Sequence, residues 1–365
     1  MHTTGLRELV STDGPFASVY FDDSHDTADA EKLLDLRWRE LRERLTEQGA
    51  AEPALTALET AIKEGDRPVG RSGRALVAAA DRVLLDRHLD QPPATTEARL
   101  SDLPYVLPLV TYGEPGPVHV IALIDRIGAE LVAVDPYGQV TVEQITEGTD
   151  YPVHAVTHVG QIRRHMEERV EETIKLNLKQ VADDIDKLVQ RTGAELVIVA
   201  GEVKNRSALK EQLSDRVRPI AHEVTSGSRA DGIDQDVLHA DIERIVAKAK
   251  ENKRADVLAR FEQEMGRDGG LAVQGLQAVT TALREANVTT LLVADPGDAA
   301  GTTVLVGPEP NYVAMQRGEL GDLDATRRRA DEALPLAAIA TDADLVHTGQ
   351  RLDLVEGFGA LLRHD

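Results

Sequence analysis

The sequence of 365 residues contains no cysteine. This absence excludes a disulfide scaffold and any thiolate metal or redox site. Aromatic residues make up only 3% of the chain, so the hydrophobic cores must be built mainly from Val, Leu, Ile and Ala. No apolar run approaches the roughly 18 residues that indicate a membrane span, and the N-terminus lacks the apolar core of a signal peptide. These absences favour a soluble, cytoplasmic protein.

A basic domain is also missing. The net charge is −22, and each of the three segments defined below is acidic. Proteins that bind nucleic acids usually present a basic face, so contact with RNA would depend on local basic clusters. The sequence contains three such clusters, which consist of Arg163 and Arg164; Lys248, Lys250, Lys253 and Arg254; and Arg327, Arg328 and Arg329.

Proline and glycine divide the chain. The length suits two or three domains of ordinary size. Regular structure cannot continue through Gly113-Glu114-Pro115-Gly116-Pro117, and Gly269-Gly270 is a second break. The sequence therefore predicts an N-terminal α/β domain over 1–114, a central domain over 115–264 and a C-terminal domain over 265–365.

The central segment has an order of elements that indicates its fold. Three strands are predicted over 118–124, 130–134 and 139–145, followed by a very long helix over 161–191 whose apolar residues keep one face. A strand, a helix, a strand and a helix come next. Three antiparallel strands followed by this alternation are typical of a ribonuclease-H-like domain.

The flanking segments are also mixed. In the first, the patterns predict strands over 16–21 and 75–80 and helices over 28–47 and 53–64. In the third, they predict a helix over 271–286, a strand over 289–294, a strand near 302–306, a helix near 325–333 and two closing strands, which together indicate a small α-β-α sandwich. The expected fold class is therefore mixed α/β with several domains.

Several motifs resemble one known family. The run from Gly270 to Val279, the strand that begins at Val288 and the closing run from Gly357 to Arg363 are similar to the third domain of archaeo-eukaryotic release factors and Pelota. Asp13-Gly14-Pro15 resembles the bacterial branch of this family, which includes a ribosome hibernation factor. The resemblance covers the whole chain.

The resemblance implies a function at the ribosome. It places the N-terminal domain in the decoding region of the A site of the 70S ribosome and the central domain toward the peptidyl transferase centre. It also implies elongation factor Tu as a partner of the second and third domains. A monomer without a cofactor and without membrane attachment is expected.

The loop before the long helix decides between factor and enzyme. Release factors carry Gly-Gly-Gln there, and this sequence has Val159-Gly160-Gln161 after His158. Ester hydrolysis needs a tight turn that aims donors at the developing oxyanion, and a β-branched residue disfavours the positive φ that such a turn requires. The sequence therefore predicts no catalysis. A peptidyl-tRNA hydrolase or rescue factor using Gln161 is the alternative, and a scaffold that has lost ribosome binding is a third.

The basic clusters have two interpretations each. The start of a long helix attracts phosphate, and Arg163 and Arg164 would add to that attraction. Pairing of the same arginines with Glu167 and Glu168 is the alternative. For the clusters at 248–254 and 327–329, a solvated helix face is the alternative to RNA contact.

Two metal-dependent readings receive little support. His154 and His158 have the spacing of zinc ligands, but they lie in a predicted loop without a third ligand. Asp125, Glu202 and either Glu167 or Glu168 could form a nuclease carboxylate set, but a fold does not by itself confer that activity. The sequence therefore predicts no metal.

Overall fold

A computed structural model describes residues 1, 3–27, 29–65, 70–148, 160–224, 235–294, 301–349 and 351–364, with the backbone alone for 4, 160–170 and 235. The chain forms two compact units. One combines Met1–Glu114 with Arg254–Asp365, and the other is Pro115–Lys253. No helix within the described ranges is long and apolar enough to cross a membrane.

The first unit begins with a four-stranded antiparallel sheet in the order β3-β2-β1-β4. Its strands are β1 (Phe16–Asp22), β2 (Gly73–Ala79), β3 (Arg82–Leu89) and β4 (Glu97–Ser101). One face packs against α2 (Ala30–Glu47) and α3 (Glu52–Glu64) through β1 residues such as Val19 and Phe21. The opposite face, with Phe16 and Tyr20, joins a larger core that includes α1 (Arg7–Ser11) and α4 (Leu107–Tyr112).

The same unit contains a second layered sheet, in the order β10-β16-β11-β15. Phe261 of α7 packs on one of its faces with Leu292 and Leu361, and helices α8 and α9 lie on the other. This arrangement confirms the predicted α-β-α sandwich. A small sheet in the order β13-β12-β14 adjoins it. The bounds are α7 (Gln235–Met265), β10 (Ala272–Gln274), α8 (Leu276–Arg284), β11 (Val288–Val293), β12 (Thr303–Val306), β13 (Val313–Ala314), β14 (Thr326–Arg329), α9 (Ala330–Ala340), β15 (Asp344–His347) and β16 (Phe358–Leu362).

The first and third sequence segments share one hydrophobic core. Tyr20 and Val77 of the first segment belong to the same cluster as Leu334 and Phe358 of the third. The division between the two compact units also falls inside α7, at 253/254, and not at 264. The separation of the chain into three independently folding domains stays a prediction.

The second unit is a five-stranded sheet in the order β7-β6-β5-β8-β9. Its first three strands are antiparallel, and β8 and β9 continue the sheet in parallel with β5. This topology confirms the ribonuclease-H-like prediction. The bounds are β5 (His119–Ile124), β6 (Gly128–Val134), β7 (Val140–Glu147), α5 (Gly160–Thr192), β8 (Leu196–Gly201), α6 (Val203–Gln212) and β9 (Ala221–Val224).

Two local expectations were wrong, and several elements were not predicted. The predicted helix over 271–286 is the short strand β10 followed by α8, because Gly275 at φ +84° breaks the path between them. The arginine run lies in strand β14, which pairs antiparallel with β12, and the helix begins only at Ala330. Strand β3, which pairs with β2, was not predicted.

Candidate functional site

The long helix α5 carries the residues that the family resemblance singles out. It begins at Gly160, one residue before the predicted start, so Gly160 and Gln161 stand in its first turn. Arg163 and Arg164 follow in the same stretch, for which the structure describes the backbone alone. His154, His158 and Val159 lie outside the described residues.

The other end of α5 is fixed in the core. Leu178, Val181 and Ile185 are buried beneath the sheet, and the Nδ2 group of Asn177 donates to the carbonyl oxygen of Arg126 at 3.1 Å. Asn177 is the first buried residue along the described side chains of α5. From Gly160 to that point, the helix rises about 25 Å. The Gly160-Gln161 turn is thus at the far end of a helix whose C-terminal half is anchored.

The basic cluster at 248–254 lies on α7 and is partly occupied by ion pairs. Lys253 contacts Glu195 at 3.3 Å, and Arg254 contacts Glu114 at 3.8 Å. Lys250 is half-buried and lies near His119, where its charge lowers the pKa of that imidazole in addition to the larger effect of burial. Lys248 is exposed. This cluster is therefore less available to phosphate than its sequence indicates.

The arginines of β14 are also engaged by carboxylates. Arg328 pairs with Asp102 at 2.6 Å, and Arg329 donates from Nε and Nη2 to Asp331 at 2.9 and 2.7 Å. Arg327 is exposed and donates to the Thr303 hydroxyl at 3.4 Å. Two of the three charges are therefore used inside the protein.

Asp331, the partner of Arg329, and the adjacent Glu332 are buried carboxylates. Both are in the first turn of α9 and are 0% and 1% exposed. Arg99 of β4 reaches them at 3.3 and 3.1 Å, and Ser101 donates to Glu332 at 2.7 Å. Carboxylates are stabilised at a helix start, and buried ones need such partners. This cluster could not be predicted from the sequence, since Arg99 and Ser101 are more than two hundred residues away from the two carboxylates.

Tyr105 completes this cluster. The guanidinium of Arg99 stacks 3.4 Å above its ring centroid. Burial raises the pKa of Tyr105 to about 12, although the charge of Arg99 opposes the shift. The carbonyl of Tyr105 accepts from the Tyr20 hydroxyl at 2.5 Å. With this raised pKa, the Tyr105 hydroxyl stays protonated at neutral pH. We assign this region a structural role.

A second buried polar cluster was also missed. Asp23 follows β1 and is 1% exposed, and neither of its carboxylate oxygens has a hydrogen-bond partner among the described residues. Arg74, His88 and His25 approach it at 3.7, 3.8 and 3.9 Å. Burial raises the pKa of the Asp23 carboxyl, and the charge of Arg74 offsets only part of that effect. Asp23, Arg74 and His88 lie at separate places along the chain, so the sequence carries no signal for such a cluster.

Of the carboxylates considered for a nuclease, Asp125 has structural partners, and the side chains of Glu167 and Glu168 lie outside the described residues. Asp125 accepts the backbone N–H groups of Ile127 and Gly128, both at 2.7 Å, and so closes the turn between β5 and β6. Glu202 is the residue before α6. The described portion of the chain holds no group of three or more His, Asp or Glu side chains that could bind a metal ion.

Comparison with known proteins settles the family. The family model of bacterial archaeo-eukaryotic release factor family 2 matches residues 118–267. This range covers the sheet and helices of the second unit and extends to the end of α7. An uncharacterized protein of Mycobacterium tuberculosis (strain H37Rv) is 38% identical over 369 aligned residues, which cover 100% of this chain and 97% of that protein. The chain belongs to bacterial archaeo-eukaryotic release factor family 2.

The more distant matches are to Pelota proteins. A Pelota homologue of Thermococcus kodakarensis is 25% identical over 67% of this chain and 63% of its own length. A model of ribosome-bound archaeal Pelota has a TM-score of 0.42 at 15% identity, covering 99% of this chain and 93% of that one. Archaeoglobus fulgidus Pelota has a TM-score of 0.36 at 14% identity, covering 81% and 84%. The fold assignment therefore rests on the sheet topology.

Proposed function

We propose that this chain is a non-catalytic translation factor that occupies the A site of the 70S ribosome. In this proposal it acts in the cytoplasm as a monomer, together with elongation factor Tu, and holds the ribosome in hibernation. Membership of the release-factor family supports the ribosome as the partner. Hibernation and elongation factor Tu enter through the resemblance of the sequence to the bacterial branch.

The observation that carries the proposal is the construction of α5. A helix of 33 residues, anchored from Asn177 onward, holds Gly160 and Gln161 about 25 Å from that anchor. The first turn of a helix directs unpaired backbone N–H groups outward and favours anions. Arg163 and Arg164 follow Gln161 by two and three residues. This end of the helix therefore suits the phosphates of ribosomal RNA.

The other basic clusters would play a smaller part. Lys253, Arg254, Arg328 and Arg329 already pair with carboxylates. To contact RNA they would have to exchange an internal partner for a phosphate, which reduces the net gain. Lys248 and Arg327 remain as exposed candidates in these two clusters, with Lys250 half-buried.

The absence of catalysis is inferred from Val159. A valine in place of the first glycine disfavours the turn that would aim donors at the reacting carbonyl. The alternative function, a peptidyl-tRNA hydrolase or rescue factor, is favoured by Gln161 in the first turn of α5. Losing one oxyanion donor typically costs about 10² to 10³ in rate, so the two functions predict clearly different release rates.

The first experiment tests binding. Purified protein is sedimented with 70S ribosomes in a sucrose gradient, as wild type and as the variant Arg163→Glu/Arg164→Glu. Arg39→Glu is the matched control, because Arg39 is exposed on α2. We expect the wild type and the control to co-sediment and the double variant to be largely lost. Failure of the wild type to co-sediment, with or without elongation factor Tu, would support the scaffold that has lost ribosome binding.

The second experiment tests catalysis. Peptide release from P-site peptidyl-tRNA is measured for the wild type, Val159→Gly and Gln161→Ala. We expect no release by the wild type or by Gln161→Ala, with binding intact in both. Release by the wild type that disappears in Gln161→Ala would overturn the non-catalytic proposal and establish the hydrolase. Gain of release in Val159→Gly would show that the scaffold places the loop at the catalytic centre.

A further inference from the structure

Among the described residues, one face of the sheet of the second unit is only partly covered. Helix α5 packs on the face that carries Leu131 and Val120. On the opposite face, α7 covers β8 and the neighbouring part of β5 through Leu238 and Ile242. The outward residues of β6 and β7 belong to none of the hydrophobic clusters formed by the described residues.

Among the described strands, β7 also forms one edge of this sheet. Val142 and Thr146 face α5, since Val142 packs on its core and the Thr146 hydroxyl donates to Asp184 at 3.0 Å. Because side chains alternate along a strand, Glu143, Ile145 and Glu147 point to the opposite face. The structure leaves Ile145 63% exposed at this edge.

The neighbouring strand adds to the same surface. Glu130 of β6 stands opposite Ile145, and Val132 stands opposite Glu143. Within the described portion of the chain, no ion pair reaches Glu130, Glu143 or Glu147. We call these three carboxylates with Val132 and Ile145 the acidic edge face.

The composition of this face selects its partner. An edge strand offers unpaired backbone groups to another extended chain. Three carboxylates around aliphatic side chains attract a cationic segment and repel RNA phosphate. A second copy of this chain is also disfavoured, because it would bring its own carboxylates against the same charges.

We propose that the acidic edge face docks an extended, cationic protein segment that pairs with β7 as an additional strand. The segment carries Lys or Arg beside Glu143 and Glu147 and an aliphatic residue between them beside Ile145. The corresponding pattern is cation-x-aliphatic-x-cation, because alternate residues of a strand share a face. This interaction does not depend on the ribosome.

A synthetic peptide tests the proposal directly. The probe is a fluorescently labelled nonapeptide with the core Lys-Thr-Val-Thr-Lys, and its binding to the full chain is measured by anisotropy at low salt. We expect saturable binding that weakens up to about fivefold for each of Glu143→Gln and Glu147→Gln, the upper range of an exposed ion pair. Ile145→Thr should weaken it as well. Glu211→Gln, an exposed residue of α6, is the matched control and should bind as the wild type does.

Hydrogen exchange locates the bound peptide. Strand addition should slow the hydrogen exchange of the backbone amides over 140–147 and leave the exchange of those over 196–201 unchanged. Circular dichroism verifies that each variant is folded. Equal binding of a peptide with Glu in place of both Lys, or binding unaffected by the Glu→Gln variants, would overturn the proposal. In that case the carboxylates only prevent edge-to-edge association. Preferential binding of an RNA oligonucleotide, or a dimer that Ile145→Asp dissociates, would also overturn it.

Discussion

Replacement of Asp23 by Asn should stabilise the first unit at neutral pH. The Asp23 carboxylate is buried without a hydrogen-bond donor among the described residues, and its nearest cation, Arg74, is 3.7 Å away. Arg74 has better partners, because its Nε and Nη2 groups donate to Asp86, both at 2.8 Å, and Nη2 also donates to the Ala61 carbonyl at 2.9 Å. Removing the Asp23 charge therefore leaves Arg74 satisfied.

The size of the gain follows from two opposing effects. A buried polar group without a partner costs about 1–3 kcal/mol, and a charged one costs more. The attraction from Arg74, with smaller contributions from His25 and His88, offsets part of this cost in the wild type. We expect Asp23→Asn to raise the free energy of unfolding by about 1 kcal/mol at pH 7.5. For a unit of this size, that corresponds to about 2–4 °C in Tm.

The pH dependence distinguishes this explanation from a packing effect. Because the pKa of Asp23 is raised above its usual value of 3.8, the native state keeps a proton that the unfolded chain has already lost. Wild-type stability therefore falls as pH rises from about 3.8 through the folded pKa. The variant lacks this titration, so its advantage should be present above that interval and should vanish on acidification.

Fluorescence of Trp38 provides the assay, since it is the only tryptophan in the chain and lies on α2, in the core that α2 and α3 form with the first sheet. Urea unfolding is compared between pH 4 and pH 8, with Asp26→Asn as the control because Asp26 is exposed. A loss of stability in Asp23→Asn at pH 7.5 would refute the reasoning. It would show that attraction to Arg74 and the histidines outweighs the cost of burying the charge.

Two further predictions concern other buried charges. Arg99→Ala should destabilise the first unit by about 3 kcal/mol in urea unfolding, because it leaves Asp331 and Glu332 short of a partner. The control Arg7→Ala, which removes the exposed ion pair with Asp342, should cost much less stability. Equal losses of stability in the two variants would contradict the structural role of Arg99. Burial lowers the pKa of His119, so the second unit should lose stability as pH falls from about 6.5 through the folded pKa, and His119→Gln should abolish this dependence in thermal unfolding. An unchanged pH profile in that variant would show that His119 is not the group responsible.

The elements that the sequence predicted well are those with a long internal pattern. The limits of α5 were correct to within one residue at each end, because its apolar spacing persists over many turns and Gly193, at φ +70°, follows its end. The order of strands and helices in the second unit was equally clear. Strands β5 and β6 have an apolar face buried against α5, so their alternation survives in the sequence.

The elements that failed depend on distant partners. Three consecutive arginines fit a helix face in isolation, but Thr326–Arg329 is a strand because Thr303–Val306 pairs with it. The carboxylates of Asp331 and Glu332 look like surface residues, and their burial depends on Arg99, 232 and 233 residues away. Strand β3 is rich in charge, so β2 determines its position more than its own residues do.

The internal use of arginine has a consequence for ribosome binding. Among the cations of the clusters at 248–254 and 327–329, Lys253, Arg254, Arg328 and Arg329 already pair with carboxylates, so few charges are free to replace counterions on RNA. If the proposed site at the start of α5 provides the main contacts, about two phosphates are neutralised. The logarithm of the binding constant should then fall with the logarithm of salt concentration with a slope of about −1 to −2.

Equilibrium binding to 70S ribosomes between 50 and 300 mM KCl would measure the slope, and Arg163→Glu/Arg164→Glu should bring it close to zero. A slope steeper than about −5 would mean that many more phosphates are neutralised. That result would require the arginines of β14 and α7 to leave their carboxylate partners on binding.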